Sequence, residues 1–106
     1  MRAANIYVHE QLAGVLREDE QGYQFQYETA YLANPDNEAV SLTLPLSEKP
    51  YTNDTLFPFF DGLIPEGWLL EIAADNWKLN QRDRMGLLLA TCKDCIGAVS
   101  VVDANS

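Results

Sequence analysis

The sequence predicts an α+β domain, with a small, mostly antiparallel sheet and about three helices packed on one side. Three observations lead there. The first third alternates apolar and polar residues with a period of two. Two later stretches space their apolar residues as helices do. A last apolar run, "IGAVSVVD", returns to strand character. Strands, then helices, then a strand is the order of a sheet that carries its helices on one face. At 106 residues the chain is read as one domain, 1–106.

Each element follows from local chemistry. "NIYVHE" sets Ile6 and Val8 against Asn5, Tyr7 and His9. "LAGVLR" and "YQFQYETAYL" flank "EDEQG", a charged connection with a glycine, so the pair reads as a hairpin. In the second run Tyr23, Phe25 and Tyr27 share one face, and Gln24, Gln26 and Glu28 the other. "ANPDNE" is a turn or loop. "AVSLTLPL" alternates Val40, Leu42 and Leu44 with Ser41 and Thr43, a further strand ended by Pro45. "SEKPYTND" reads as a loop. Asn53 or Asp54 is the candidate cap of a short helix, "TLFPFFDG", which Gly62 terminates. Pro65 opens a second helix in "IPEGWLLEIAADNW", where its missing N–H would be unbonded anyway. "NQRDRMGLLLAT" is a third, with Asn80 as N-cap and Asp83 in the first turn, favourable to the helix dipole.

Composition narrows the function. Asp and Glu outnumber Lys and Arg by 16 to 7, for a net charge of −9. Phosphate binding needs a basic patch, so direct binding of nucleic acid is not expected. A basic protein partner is compatible with that charge. The N-terminus "MRAANIYVHEQ" has no apolar signal-peptide core. No apolar run approaches the roughly 20 residues of a membrane span. The expectation is a cytoplasmic protein without a membrane partner, whose two cysteines are reduced thiols.

The two tryptophans pose a problem. Trp68 and Trp77 share the second helix, and at about 100° per residue they fall on opposite sides of it. Trp77 joins Leu69, Leu70, Ala73 and Ala74 in one apolar stripe and is the core candidate. Trp68 falls beside Glu71 and Asp75, with Ile72 nearby. Two readings of Trp68 follow. One packs it on the preceding loop at the helix start. The other makes it an exposed anchor for a partner, since tryptophan is enriched where a rigid side chain fills a desolvated pocket. Flanking carboxylates suit a pocket with basic groups around it.

Other motifs carry less. "CKDC", Cys92 to Cys95, follows a helix, where the dipole disfavours the thiolate that redox chemistry needs. One such pair supplies half of a tetrahedral zinc site, so no metal is expected. A dithiol redox protein is therefore a minor alternative. His9 is the only histidine, with no obvious nucleophile near it. "EDE", Glu18 to Glu20, reads as a solvated hairpin tip. Asp61 and Glu66 in "FDGLIPEG" are not specific by spacing alone. Neither a phosphate-cradling glycine loop nor a nucleophile elbow is present, and no cofactor is expected. The residues alone describe a small acidic binding or regulatory domain, not an enzyme.

Two segments then stand out together: "FFDGLIPEG", Phe59 to Gly67, and "LLLATCKDCIGAV", Leu87 to Val99. They resemble the N-terminal subdomain of the bacterial HipA-type serine/threonine kinase toxins, which carries an "F-x-N-L-L-P-E-G" turn and a later "L-L-x-x-x-G-x-D-x-x-G-A-V" segment. The opening strands look similar too, so the resemblance covers nearly the whole chain. Gly62 stands where that pattern has Asn, and Cys92 where it has Gly. Cys92 is strained if its position needs a positive φ.

The kinase core that follows this subdomain in the family has no counterpart in the sequence. The expectation is a stand-alone homologue of the subdomain, with a piece of a longer protein as the other reading. The stand-alone form resembles the small HipS-like component of three-gene HipBST-type toxin–antitoxin systems. The resemblance implies an antitoxin that binds and inhibits a HipT-like serine/threonine kinase toxin lacking this subdomain. A HipB-like helix-turn-helix DNA-binding protein would be the third member of a ternary complex. The partner-binding residues expected are Trp68, Glu71, Asp75, Glu66 and Asp61, with Trp68 plugging a cleft built for an adenine ring and phosphates. A structural or regulatory subunit that completes the kinase without inhibiting it is the alternative.

Overall fold

A computed structural model describes residues 2–64, 83–91 and 98–104. Five strands form one sheet: β1 (Arg2–Val8), β2 (Gln11–Asp19), β3 (Gly22–Tyr27), β4 (Tyr51–Asn53) and β5 (Val99–Asp103). Their order across the sheet is β4-β3-β2-β1-β5, with every neighbouring pair antiparallel. Among the described residues three short helices accompany them: α1 (Thr29–Leu32), α2 (Pro58–Asp61) and α3 (Arg84–Thr91). The α+β class is as the sequence predicts.

The register explains which side is covered. Ile6 lies opposite Gly14 and Val101, Ala4 opposite Leu16, and Leu16 opposite Phe25. All but the glycine are fully buried hydrophobics of the core. Phe60, Met85, Leu87 and Leu88 from α2 and α3, and Tyr31 from α1, join the same cluster. The helices therefore sit on the face that carries Ile6, Leu16 and Phe25. Gly14 is small by necessity, because a Cβ there would stand 2.5 Å from the Gln26 carbonyl oxygen and 2.9 Å from the Phe25 ring.

Two turns connect the first three strands. Val8 pairs with Gln11, so His9 and Glu10 alone close the first hairpin. Both have positive φ, 49° and 69°, as a turn matched to the strand twist requires. Neither is the Asn or Gly that such a turn favours. Gly22, at φ +137°, opens β3 where an L residue would be strained. The register shifts between Ile6 and Tyr7, which leaves Ala13 as the extra residue of a bulge. Its carbonyl takes the N–H of Glu28 at 2.8 Å, which anchors the start of α1.

Four local expectations are corrected. "YQFQYETAYL" is not one strand, because the chain turns into α1 after Tyr27. Tyr27 and Tyr31 are four apart, a spacing that suits both a strand face and a helix face, and their rings stack at 6.2 Å. "AVSLTLPL" is not a strand either. Val40 and Leu44 are buried, but Leu42 is 100% exposed. Only an isolated bridge joins Ser41 to Leu44. Ser41 captures the local N–H groups, with Thr43 N–H donating to its Oγ at 3.2 Å and Leu44 N–H to its carbonyl at 3.1 Å. Such local bonding competes with a strand ladder.

"SEKPYTND" holds β4, a three-residue edge strand too short to show periodicity. With Asn53 paired to Tyr23, the next helix does not begin there. It begins at Pro58, after an extended Phe57 at φ −55° and ψ 136°. A residue before proline is pushed out of helical geometry, so α2 cannot run back through Phe57. Gly62 does end α2, at φ −68°, so the position does not need a glycine. The helix expected over 65–77, with Pro65 and Trp77, and the CxxC of Cys92 and Cys95 lie outside the described residues, as does Asn80.

Candidate functional site

Of the five expected partner-binding residues, Asp61 is described. Glu66, Trp68, Glu71 and Asp75 lie outside the described residues. Asp61 closes α2, and its Oδ1 accepts from Arg84 Nε of α3 at 2.6 Å. One of its oxygens is thus engaged within the chain. The chain leaves the described structure at Ile64, which is buried, and returns at Asp83. The Asp61–Arg84 pair therefore ties together the stretches of chain just before Ile64 and just after Asp83.

A second tie joins β1 and β2 to Asp83. Arg2 donates through Nη1 and Nη2 to both oxygens of Asp83, at 2.8 and 2.7 Å. Its Nε donates to Glu18 Oε1 at 2.7 Å. The other Glu18 oxygen accepts from Tyr23 hydroxyl at 3.0 Å. Glu18 is therefore not part of a solvated tip. The two-residue period places it on the inner face with Leu16, opposite Arg2 and Tyr23. Asp83 Oδ1 also takes the Gly86 N–H at 3.1 Å, so it caps α3. The Arg2 guanidinium holds the Asp83 carboxyl below its ordinary value of 3.8. Burial, and then the hydrogen bond it donates to Glu18, raise the Tyr23 phenol.

This tie gives a test. Asp83 loses its stabilising effect as pH falls below about 3.8, because a lowered carboxyl pKa favours the fold only while the group is ionised. Arg2 and Asp83 are 35% and 38% exposed, so solvent screening keeps the effect modest. Asp83→Ala should cost about 1–2 kcal/mol in urea unfolding at neutral pH. Asp83→Asn, which keeps the cap but not the charge, should cost less. It should also flatten the loss of stability as pH falls below about 3.8. An Asn variant that unfolds with acid as wild type does would show that the charge pair contributes nothing.

A third arrangement was not foreseen from the sequence. Three tyrosine hydroxyls hold the loop after α1 by its carbonyls. Tyr31 donates to Glu38 and Tyr51 to Pro45, each at 2.6 Å, and Tyr27 donates to Leu44. Val40 N–H donates back to the Tyr27 oxygen at 3.1 Å. Burial pushes the Tyr27 phenol up to about 12 and raises that of Tyr31. Tyr27 and Tyr31 lie in the run expected to be a strand, and Tyr51 in the segment expected to be a loop. Their carbonyl partners are not readable from spacing.

Among the described residues no group of three or more His, Cys, Asp and Glu stands where it could hold a metal. No described helix is long and apolar enough to cross a membrane. His9 is exposed in its tight turn, and its backbone N–H donates to the Ala98 carbonyl at 2.8 Å.

An antiparallel sheet with its helices on one face, tied to them through Arg2 and Asp83, defines a small α+β domain. The chain belongs to the HipA N-terminal domain family, which matches residues 4–102. A solved structure described as "N-terminal domain of HipA toxin" is similar, at a TM-score of 0.66 and 30% identity. That likeness covers 97% of this chain and 92% of the other. An uncharacterized protein of Haemophilus influenzae is 34% identical over 103 residues, covering 95% of this chain and 92% of that one.

Proposed function

We propose that the chain is a cytoplasmic antitoxin that binds and inhibits a HipA-family serine/threonine kinase lacking this domain, without catalysis of its own. The observation that carries this reading is the extent of the family match. It fills residues 4–102 of the 106, and no kinase motif appears among them. The Haemophilus influenzae relative, matched over 92% of its own length, supports a domain that serves as a protein by itself. The partner kinase is HipT-like, and a HipB-like DNA-binding protein joins the two in a ternary complex. Trp68, together with Glu66, Glu71 and Asp75, is the inhibitory anchor. Asp61, paired with Arg84, is the fifth residue of the partner-binding set.

The test is co-production of the chain with a HipA-family kinase that lacks this domain, taken from the same genome. Wild type should restore growth and suppress phosphorylation. Trp68→Ala should do neither while its circular dichroism matches wild type. Equal inhibition by the variant would rule out the tryptophan anchor. Absence of inhibition by wild type, even with the DNA-binding protein present, would rule out the antitoxin reading. A complex that forms without inhibition would identify a structural subunit in its place.

A further inference from the structure

Leu42 is 100% exposed, at the tip of the turn from Ser41 to Leu44. Single exposed leucines are common and need no explanation. This one differs in how it is held. Val40 on one side and Leu44 on the other are buried, at 6% and 3% exposure. Tyr27 bonds both the Val40 N–H and the Leu44 carbonyl. Tyr31 and Tyr51 fix the carbonyls of Glu38 and Pro45 on either side. The Ser41 and Thr43 hydroxyls meet at 2.9 Å across the turn. A leucine on a loose loop could fold back onto the core, but here the backbone is tied on both flanks and the side chain projects outward. A preorganised apolar anchor loses little freedom on binding.

The surroundings indicate the occupant. Asp36, Glu38 and Glu48 are exposed in the same loop, against one cation, Lys49. Leu46 adds a second apolar group, 37% exposed. A recess of about 430 Å³, lined by Gln26, Tyr27, Thr29, Leu32, Ala33 and Glu48, borders the same loop at Ala33 and Glu48. A second copy would bring a like-charged loop from a chain of net charge −9, which opposes self-association. An apolar pocket with a cationic rim is the complementary surface.

We infer that the turn from Ser41 to Leu46 is a docking element, with Leu42 seated in an apolar pocket rimmed by Lys or Arg on a partner protein. This rests on the reading above, in which that partner is the kinase chain. It adds a second contact region, separate in sequence from Trp68.

The experiment is calorimetric titration of the full chain into the same HipA-family kinase, with wild type, Leu42→Ala, Leu42→Asp and Trp68→Ala. Leu42→Ala should weaken binding by about tenfold or more, as truncation of an interface anchor does. Leu42→Asp should weaken it further, and both variants should melt with wild type because the side chain touches no core. Added salt should weaken wild-type binding. Full affinity in both Leu42 variants would overturn this inference and leave the antitoxin reading intact. Lack of binding by wild type would overturn that reading, and this inference with it. Self-association of wild type that Leu42→Asp abolishes would make a second copy the occupant, and would equally overturn the inference.

Discussion

Phe60→Ala is expected to cost about 3–5 kcal/mol, the range for removing a fully buried aromatic side chain. Phe60 is fully buried, and its ring lies 5.5 Å from Phe25, 6.2 Å from Phe57 and 5.1 Å from Phe59. It is the residue through which the short helix α2 grips the central sheet. Four helical residues cannot hold themselves together by backbone bonds alone, so the packing of Phe60 is what places α2. A domain of this size has about 5–15 kcal/mol of stability, and the variant would lose a large share of it. Urea unfolding followed by circular dichroism measures the loss. Phe60→Leu, which keeps much of the volume, should cost clearly less. A loss below about 1 kcal/mol for the alanine variant would mean that α2 is placed by something other than this ring. The consequence extends to function, because Asp61 follows directly and the segment that holds Trp68 leaves from Ile64. Phe60→Ala should therefore weaken kinase inhibition without touching the kinase.

The central sheet was legible because its inner face is buried and its outer face is not. A buried face imposes a two-residue period, and Ile6, Leu16 and Phe25 show it. The final strand was legible for the same reason, through Val101. What failed to show were places where two structures share one spacing or where a partner decides. Tyr27 and Tyr31 satisfy a strand and a helix equally. Val40, Leu42 and Leu44 alternate like a strand, but Ser41, Thr43 and Pro45 supply turn chemistry that removes the ladder. β4 exists because the free edge of β3 accepts it, and three residues carry no pattern of their own. At the candidate site, the residue types were readable and their ties were not. Asp83 was expected near a helix start, yet nothing in the sequence joined it to Arg2, 81 positions away. Trp68 stood out by its angle on a helical wheel, which needs only local sequence. The exposure of Leu42 depends on three tyrosines bonding to distant carbonyls, which no local window contains.

Tyr27→Phe removes one oxygen, and it is expected to cost about 1–3 kcal/mol, the penalty for leaving a buried polar group without a partner. Tyr27 is 4% exposed. Its hydroxyl donates to the Leu44 carbonyl and accepts from the Val40 N–H, so both backbone groups lose their partner at once. The ring remains, with its edge-on contact to Phe25 at 4.9 Å, and the core should keep its packing. The pH dependence has a definite sign. Burial raises the phenol from an ordinary 10.0 to about 12, so the folded state holds this proton more tightly than the unfolded chain. The stability it brings is complete below pH 10 and is lost as pH rises toward about 12. The gap between wild type and Tyr27→Phe should therefore be widest near neutral pH and narrow by pH 11, in urea unfolding at each pH. A gap that stays constant, or a variant as stable as wild type, would show that the hydroxyl does not hold the loop. The same variant bears on docking, since it frees the backbone on both sides of Leu42 and leaves that side chain in place. If preorganisation of the turn matters, Tyr27→Phe should weaken kinase binding in the direction of Leu42→Ala while the sheet remains folded. The affinity lost would then measure the order that the tyrosine gives to the leucine, separately from the contact the leucine makes.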